Sequence, residues 1–148
     1  MAAEAYQVEP MRMEDFDQVI ELWRHTEGVG LSESDTRSNI GVYLARNPGL
    51  SFVARGEGGI VGAVLCGHDG RRGYLHHLAV ARDHRRRGLG RRLVQGCLES
   101  LAAAGIPKCN ISLFDHNQEG ESFWRQTGWM ARRDLRVMQK TVLQIPAT

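Results

Sequence analysis

Apolar residues along the chain recur at helical spacing in some segments and at strand spacing in others, which predicts an α/β fold. In the first helical segment, Phe16, Val19, Ile20 and Trp23 share one face. Four segments have this helical period of about 3.6 residues. They are Glu14 to Thr26, a second segment that Ser32 or Ser34 caps and Asn47-Pro48-Gly49 ends, Leu89 to Ala104, and Asn117 to Gln126.

Shorter runs of β-branched and other apolar residues between these segments predict strands. They are Tyr6 to Pro10, Ser51 to Arg55, Ile60 to Cys66, Tyr74 to Val80, Lys108 to Phe114 and Leu135 to Val142. The glycine-rich stretch from Gly56 to Gly59 predicts a hairpin, and a helix between two strands predicts a parallel pair with a right-handed crossover. We therefore expect one domain, residues 1–148, with a mixed, mostly antiparallel sheet flanked by helices.

Charge is unevenly distributed along the 148 residues, although the net charge is only +2. One short segment holds six arginines: Arg82, Arg85, Arg86, Arg87, Arg91 and Arg92. This pattern indicates a local site for an anion, not a generally basic surface.

The cellular compartment is predicted from the cysteines and from the absence of a membrane signal. Cys66, Cys97 and Cys109 are an odd number, and each lies in an apolar stretch, which favours reduced core thiols over a disulfide framework. No apolar run approaches the roughly 20 residues that span a bilayer, and the segment from Met1 to Glu9 has acidic residues. We expect a cytoplasmic protein without membrane contact.

The six residues from Arg85 to Gly90, here called the arginine loop, lie between a predicted strand and a predicted helix. Glycine allows close backbone approach to a ligand, and the first N–H groups of a helix are unpaired, so this position suits a phosphate. A dinucleotide-binding fingerprint would need a third glycine at Leu93, and a P-loop would need a Gly-Lys-Ser/Thr ending. Neither common phosphate motif fits.

The arginine loop reads R-x-x-G-x-G after a strand that ends Leu78-Ala79-Val80. This arrangement, with the element order and Asn117, Gly128 and Trp129 downstream, resembles the acetyl-CoA motif of the GNAT N-acetyltransferase superfamily. The resemblance implies acetyl-CoA as cosubstrate, bound by strand backbone at the pantetheine arm and by loop N–H groups at the pyrophosphate. The implied cofactor-binding residues are Leu78, Ala79, Val80, Arg85, Arg86, Arg87, Gly88, Leu89, Gly90, Arg91, Asn117 and Trp124.

Acetyl transfer to an amine needs a base, because an amine of pKa near 10.4 is mostly protonated at pH 7. Family members often keep an acidic or polar base on the strand that here carries Tyr74, His76 and His77. Side chains alternate along a strand, so we expect the two imidazoles to face opposite ways, with His76 the first choice and His77 the second. Adjacent histidines on one strand cannot share an ion, and we expect no metal.

The chain departs from the family pattern at Trp124, where many members have a tyrosine that protonates the leaving thiolate. Tyr74 is a possible substitute acid. The loss leaves a catalytically silent acyl-CoA-binding domain as an alternative to an enzyme. A nucleic-acid-binding module is a further alternative, but it would need basic residues on several elements together with stacking aromatics.

The acceptor is expected to be an amine on a small molecule or a peptide. The segments from Glu27 to Arg37 and from Trp129 to Arg136 would border the cleft in the resembling fold, and Glu27, Glu33 and Asp35 could attract a cationic amine. The chain resembles small bacterial members without a defined substrate. Members often dimerise, so a homodimer is also implied.

Overall fold

The computed structural model of the protein describes residues 5–144. Three short 3-10 turns, Met13–Asp15, Glu33–Asp35 and Arg82–His84, accompany the regular elements of this range. In chain order these elements are β1 (Gln7–Pro10), α1 (Phe16–Arg24), α2 (Arg37–Arg46), β2 (Phe52–Gly56), β3 (Gly59–His68), β4 (Gly73–Val80), α3 (Leu89–Ala103), β5 (Cys109–Ile111) and α4 (Gln118–Gln126).

The strands form one five-stranded sheet in the order β1-β2-β3-β4-β5. Neighbouring strands are antiparallel except for β4 and β5, which are parallel and joined through α3. The predicted mixed sheet with one parallel pair is therefore confirmed, as are the four predicted helices. The contacts divide the chain into one unit that ends at Ser112 and holds the whole sheet, and a second unit that begins at Leu113.

Helices cover both faces of the sheet in the first unit. On one face, the buried Trp23 of α1 and Ile40 of α2 join a core with Ala63 and Leu65 of β3. On the other face, α3 lies so close that a Cβ on Gly62 would stand 3.0 Å from Leu93. Because successive strand residues point to opposite faces, Gly62 and Ala63 assign α3 and α1 to different sides of the sheet.

The three cysteines are free. Cys66 of β3 and Cys97 of α3 are buried, and Cys109 lies at the start of β5. Burial raises the pKa of the Cys109 thiol to about 12, so the neutral thiol is favoured there.

The second unit contains α4, whose buried Trp124 packs edge-on against Phe123 at 5.1 Å and Trp129 at 4.9 Å between ring centroids. The predicted strand from Leu135 to Val142 is wrong, because these residues adopt no regular structure. Leu135 is 60% exposed and Met138 95% exposed. Odd-numbered and even-numbered side chains are thus both exposed to solvent, so the segment packs against neither a core nor a neighbouring strand.

Candidate active site

Strand β4 is paired with β5 only over its first residues, whereas its pairing with β3 on the other side reaches from Gly73 to Val80. The parallel ladder joins Gly73, Tyr74 and Leu75 to Cys109, Asn110 and Ile111. From His76 to Val80, β4 has no β5 partner, because β5 ends at Ile111 opposite Leu75. A crevice at this end of parallel strands is the usual ligand position in α/β sheets. The predicted contacts Leu78, Ala79 and Val80 lie on this unpaired part.

The pairing of β3 with β4 is interrupted by a bulge at the histidines. Leu65 pairs with His76 and Ala63 with Ala79, so two residues of β4 oppose Val64. His77 has a φ of 58°, in the left-handed region that non-glycine residues rarely adopt. The extra residue changes the parity of the strand.

The bulge overturns our expectation that the two imidazoles face opposite ways. His76 and Ala79 pair with Leu65 and Ala63, which belong to the core beneath α1. The His77 ring packs against Trp23 of α1, with 5.0 Å between ring centroids, and lies 6.3 Å from the His76 ring. Alternation fails here because the left-handed residue turns the backbone within the strand. Both imidazoles therefore lie on the helix α1 side.

Tyr74 and His76 keep the same parity, as predicted, because the bulge follows them. Tyr74 pairs with Gly67, and a Cβ on Gly67 would stand 2.5 Å from the Tyr43 hydroxyl. The Tyr43 ring packs edge-on against the exposed His76 ring at 6.3 Å. Partial removal from water lowers the pKa of His76, and the neighbouring His77 lowers it further, whereas Asp35 raises it. The three predicted catalytic residues are thus gathered on one face of β4.

His77 is held by a buried carboxylate that the sequence analysis did not connect with it. His77 Nε2 lies 3.0 Å from Asp35 Oδ1, and the two side chains are 17% and 7% exposed. The other carboxylate oxygen, Oδ2, accepts the Ser32 N–H at 2.9 Å. Burial raises the pKa of Asp35, but the hydrogen bonds from His77 and Ser32 outweigh burial and leave the pKa below its ordinary value.

The spacing Ser32-x-x-Asp35 gives a capping box, and that signal could have identified Asp35 as a helix-start residue. It could not have identified His77, which lies 42 positions further along the chain. Only the packing of the α1–α2 connection against β4 brings the pair together.

Two arginine side chains of the arginine loop bind other parts of the protein. Arg85 Nε donates to the Val80 carbonyl at 2.8 Å, and Arg87 Nη1 donates to the Tyr6 hydroxyl at 2.7 Å. That hydroxyl also lies 2.7 Å from His84 Nδ1. These contacts attach the loop to β4 and to the residue that precedes β1.

The backbone of the same loop prepares the start of α3. Arg86, with an exposed side chain, has a φ of 64°, and Gly88 has a φ of 78°. No side chain caps α3, and its first backbone bond runs from Arg92 N–H to the Gly88 carbonyl. The N–H groups of Leu89, Gly90 and Arg91 precede that bond and have no intrahelical acceptor. Together with the helix dipole they suit an anion.

The remaining predicted cofactor contacts lie in the second unit. Asn117 is the N-cap of α4, where its Oδ1 accepts the Gly120 N–H at 2.9 Å. Trp124 is 7% exposed among the aromatic residues of that unit. Both side chains therefore have a structural role within the second unit.

Within residues 5–144, no three or more histidine, cysteine, aspartate or glutamate side chains lie together in a group that could hold a metal ion. Over the same range, every helix is too short or too polar to cross a bilayer.

Known proteins resemble this chain in both sequence and fold. The family model of the acetyltransferase (GNAT) family matches residues 16–129. An acetyltransferase of Yersinia pestis is 37% identical over 106 residues, which cover 72% of this chain and 74% of that protein.

Solved structures show the same fold at lower sequence identity. The PaiA N-acetyltransferase of Thermoplasma acidophilum, in complex with coenzyme A, has a TM-score of 0.77 at 16% identity and covers 86% of this chain and 91% of that one. An aminoglycoside acetyltransferase from an uncultured soil sample, in complex with sisomicin, has a TM-score of 0.71 at 18% identity and covers 97% and 100%. From the family match and the bacterial relative, this chain belongs to the GNAT family and is an N-acetyltransferase.

Proposed function

We propose that the protein transfers an acetyl group from acetyl-CoA to a primary amine of a small molecule or a peptide, by direct attack within a ternary complex. One observation carries the proposal. The unpaired end of β4 runs directly into a loop whose left-handed Gly88 opens the uncapped start of α3. A strand edge that can pair with an extended amide chain is thus followed along the chain by a helix N-terminus that can bind a phosphate.

The residues present fit coenzyme A along its length. The pantetheine arm contains amides that can pair with the free edge at Leu78, Ala79 and Val80 as an added strand would. The backbone from Arg85 to Arg91 then receives the pyrophosphate, with the exposed Arg86 and Arg91 side chains beside it. Asn117 and Trp124 are proposed as pantetheine-binding residues on the family resemblance alone. The coenzyme A complex of the Thermoplasma acidophilum protein supports this assignment.

The catalytic groups are proposed to lie on the β4 face that holds Tyr74, His76 and His77. An imidazole takes the proton from the acceptor ammonium and frees the nitrogen lone pair. A backbone N–H between Leu78 and Val80 stabilises the oxyanion that forms at the thioester carbonyl, a contribution worth about 3 kcal/mol. Tyr74 is 36% exposed and carries the hydroxyl available to the departing sulfur.

The acceptor is proposed to be cationic. Glu33 precedes α2 and Glu27 lies in the same connection, so exposed negative charge borders the helix-covered face of β4. The sisomicin complex of the structural neighbour shows that this fold accommodates an amine-rich molecule. Aminoglycosides, polyamines and short peptides with a free N-terminus are therefore the acceptors to test first.

A silent acyl-CoA-binding domain is the second candidate. It is favoured by Trp124, whose indole N–H cannot protonate a thiolate and whose ring is buried against Phe123 and Trp129. This candidate predicts the same cofactor affinity and no turnover.

Calorimetry with coenzyme A and a thiol-release assay test the proposal together. We expect a dissociation constant on the order of micromolar for coenzyme A, since a few charged hydrogen bonds exceed the cost of association. We also expect thiol release from acetyl-CoA only when an acceptor amine is added. Absence of binding at millimolar coenzyme A would overturn the proposal. Binding without thiol release on any amine would select the silent domain.

A further inference from the structure

The strained His77 is the centre of a cluster that the proposed chemistry has not fully explained. Its backbone adopts a left-handed conformation inside a strand, and its ring contacts both a buried carboxylate and the Trp23 ring, 5.0 Å away. Left-handed non-glycine residues concentrate at functional sites, where the surrounding structure maintains the strain.

The contact with Asp35 determines which imidazole nitrogen carries the proton. Asp35 is ionised at neutral pH because its pKa is lowered, and an ionised carboxylate can only accept hydrogen bonds. The Nε2 atom must therefore donate its proton to Oδ1. A neutral His77 then has an unprotonated Nδ1, whose lone pair is available to accept a proton.

Two buried polar atoms beside the histidines lack a protein partner. Among residues 5–144, the buried side-chain nitrogen and oxygen atoms without a hydrogen bond are Trp23 Nε1 and the Tyr43 hydroxyl. The Trp23 ring packs against His77 and the Tyr43 ring against His76. Buried polar groups are nearly always hydrogen-bonded. These two atoms therefore indicate that a polar ligand or a water molecule binds beside the two imidazoles.

We propose, given the N-acetyltransferase function proposed above, that His77 is the base that accepts the amine proton at Nδ1, and that Asp35 is a positioning residue that orients the imidazole through Nε2. His77 has the carboxylate partner that His76 lacks. His76, the first choice from the sequence, has an exposed side chain, and no side chain among residues 5–144 is hydrogen-bonded to its ring.

The reaction balances with these groups. His77 Nδ1 takes one proton from the acceptor ammonium, and the freed nitrogen lone pair forms the new C–N bond at the thioester carbonyl carbon. The C–S bond then breaks, and its electron pair leaves on sulfur. The thiolate takes a proton from the Tyr74 hydroxyl, which regains one from the new amide nitrogen, and the imidazolium gives its proton to water. One proton is released for each acetyl group transferred.

Removing the carboxylate charge tests the role of Asp35. We expect Asp35→Asn to lower kcat/KM about tenfold or more, because the imidazole at residue 77 loses the carboxylate that accepts its Nε2 proton and orients the ring. Glu99→Gln is the matched control, because it removes one exposed carboxylate from α3, on the other face of the sheet.

A second variant tests His77 itself. Asparagine tolerates the left-handed conformation and can donate to Asp35, but it cannot take a proton. We expect His77→Asn to lower kcat by about a hundredfold or more while calorimetric affinity for coenzyme A is unchanged, and His76→Asn to have a smaller effect. Thermal unfolding of each variant checks that the fold is retained.

The outcomes distinguish a failure of the proposed function from a failure of the assignment of the base. Absence of wild-type turnover overturns the proposed function. Wild-type turnover with an equally active His77→Asn variant, or with an Asp35→Asn variant as active as Glu99→Gln, overturns only the assignment of the base. Nitrogen-15 NMR of the imidazoles gives a readout independent of activity. If His77 is the base, its neutral ring carries the proton on Nε2, and an Nδ1-protonated ring would contradict this role.

Discussion

At the scale of single residues, the chain departs from ordinary backbone conformations where the site is proposed. The described residues with a positive φ that are not glycine are His77 and Arg86. Each such residue costs about 1–3 kcal/mol. One lies in the β4 bulge and the other in the arginine loop, so the strain coincides with the proposed base and with the proposed pyrophosphate position.

Gly88 shows what the loop backbone contributes. A Cβ at Gly88 would meet no atom within 4 Å, so the space is open, but its φ of 78° strains any other residue. We expect Gly88→Ala to lower the free energy of unfolding by about 1–2 kcal/mol and to weaken coenzyme A binding, because relief of the strain rotates the amides away from the anion. Urea titration and calorimetry measure the two effects.

Gly58→Ala is the control for this variant. Gly58 also has open space around its Cβ position, but it lies in the exposed β2–β3 connection without a positive φ. Equal coenzyme A affinity in the wild type and in Gly88→Ala would show that the loop conformation does not hold the cofactor.

At the scale of elements, the close approach of α3 to the sheet supports the geometry of the crevice. A Cβ on Gly73, at the start of β4, would stand 2.6 Å from Leu101 of α3, which is buried. We expect Gly73→Ala to lower the free energy of unfolding by about 1–3 kcal/mol, because the buried Leu101 side chain, the strand or the helix must shift to make room. Chemical denaturation measures this change.

A double variant shows whether the clash with Leu101 is the cause. Leu101→Ala alone removes core volume, and in its presence the Gly73→Ala methyl group has room. The double variant should therefore lose less stability than the sum of the two single variants. Additive losses would contradict the proposed contact.

The sequence predicted an element correctly where the apolar face of that element packs against the core in the structure. The helical spacing of Phe16, Val19, Ile20 and Trp23 predicts α1, and all four residues are buried in the structure. The run from Leu135 to Val142 has strand-like residues, but no strand forms there. A helix satisfies its own backbone, whereas a strand depends on a neighbour that the sequence does not specify.

At the scale of the whole molecule, the observed burial places stability in the unit that ends at Ser112. Leu93 of α3 is completely buried, whereas Met138 is 95% exposed. We expect Leu93→Ala to lower the free energy of unfolding by about 2–5 kcal/mol and Met138→Ala to change it by no more than about 0.5 kcal/mol. Urea unfolding of both variants makes the comparison.

The same pair of variants bears on the predicted homodimer. A loss at Met138→Ala as large as that at Leu93→Ala would mean that the exposed residues after Leu135 are packed in solution, contrary to the exposure seen in one chain. Sedimentation at several protein concentrations would then show whether a second copy covers them.

The sequence by itself determined the order of the elements as far as α4, the mixed sheet with its parallel pair, and the arginine loop between β4 and α3. These features depend on periodicity and on short motifs, which act over a few neighbouring residues. It also placed Tyr74, His76 and His77 on the strand beside that loop.

Only the tertiary structure decided how those residues are used. The bulge opposite Val64 brings both imidazoles to one face of the sheet. Asp35, in the capping box that begins at Ser32, contacts His77, which lies 42 positions further along the chain. Strand register and long-range hydrogen bonds depend on which elements pack together. A pattern read along the chain contains no such information, because the partners meet only after the sheet and the helices above it have assembled.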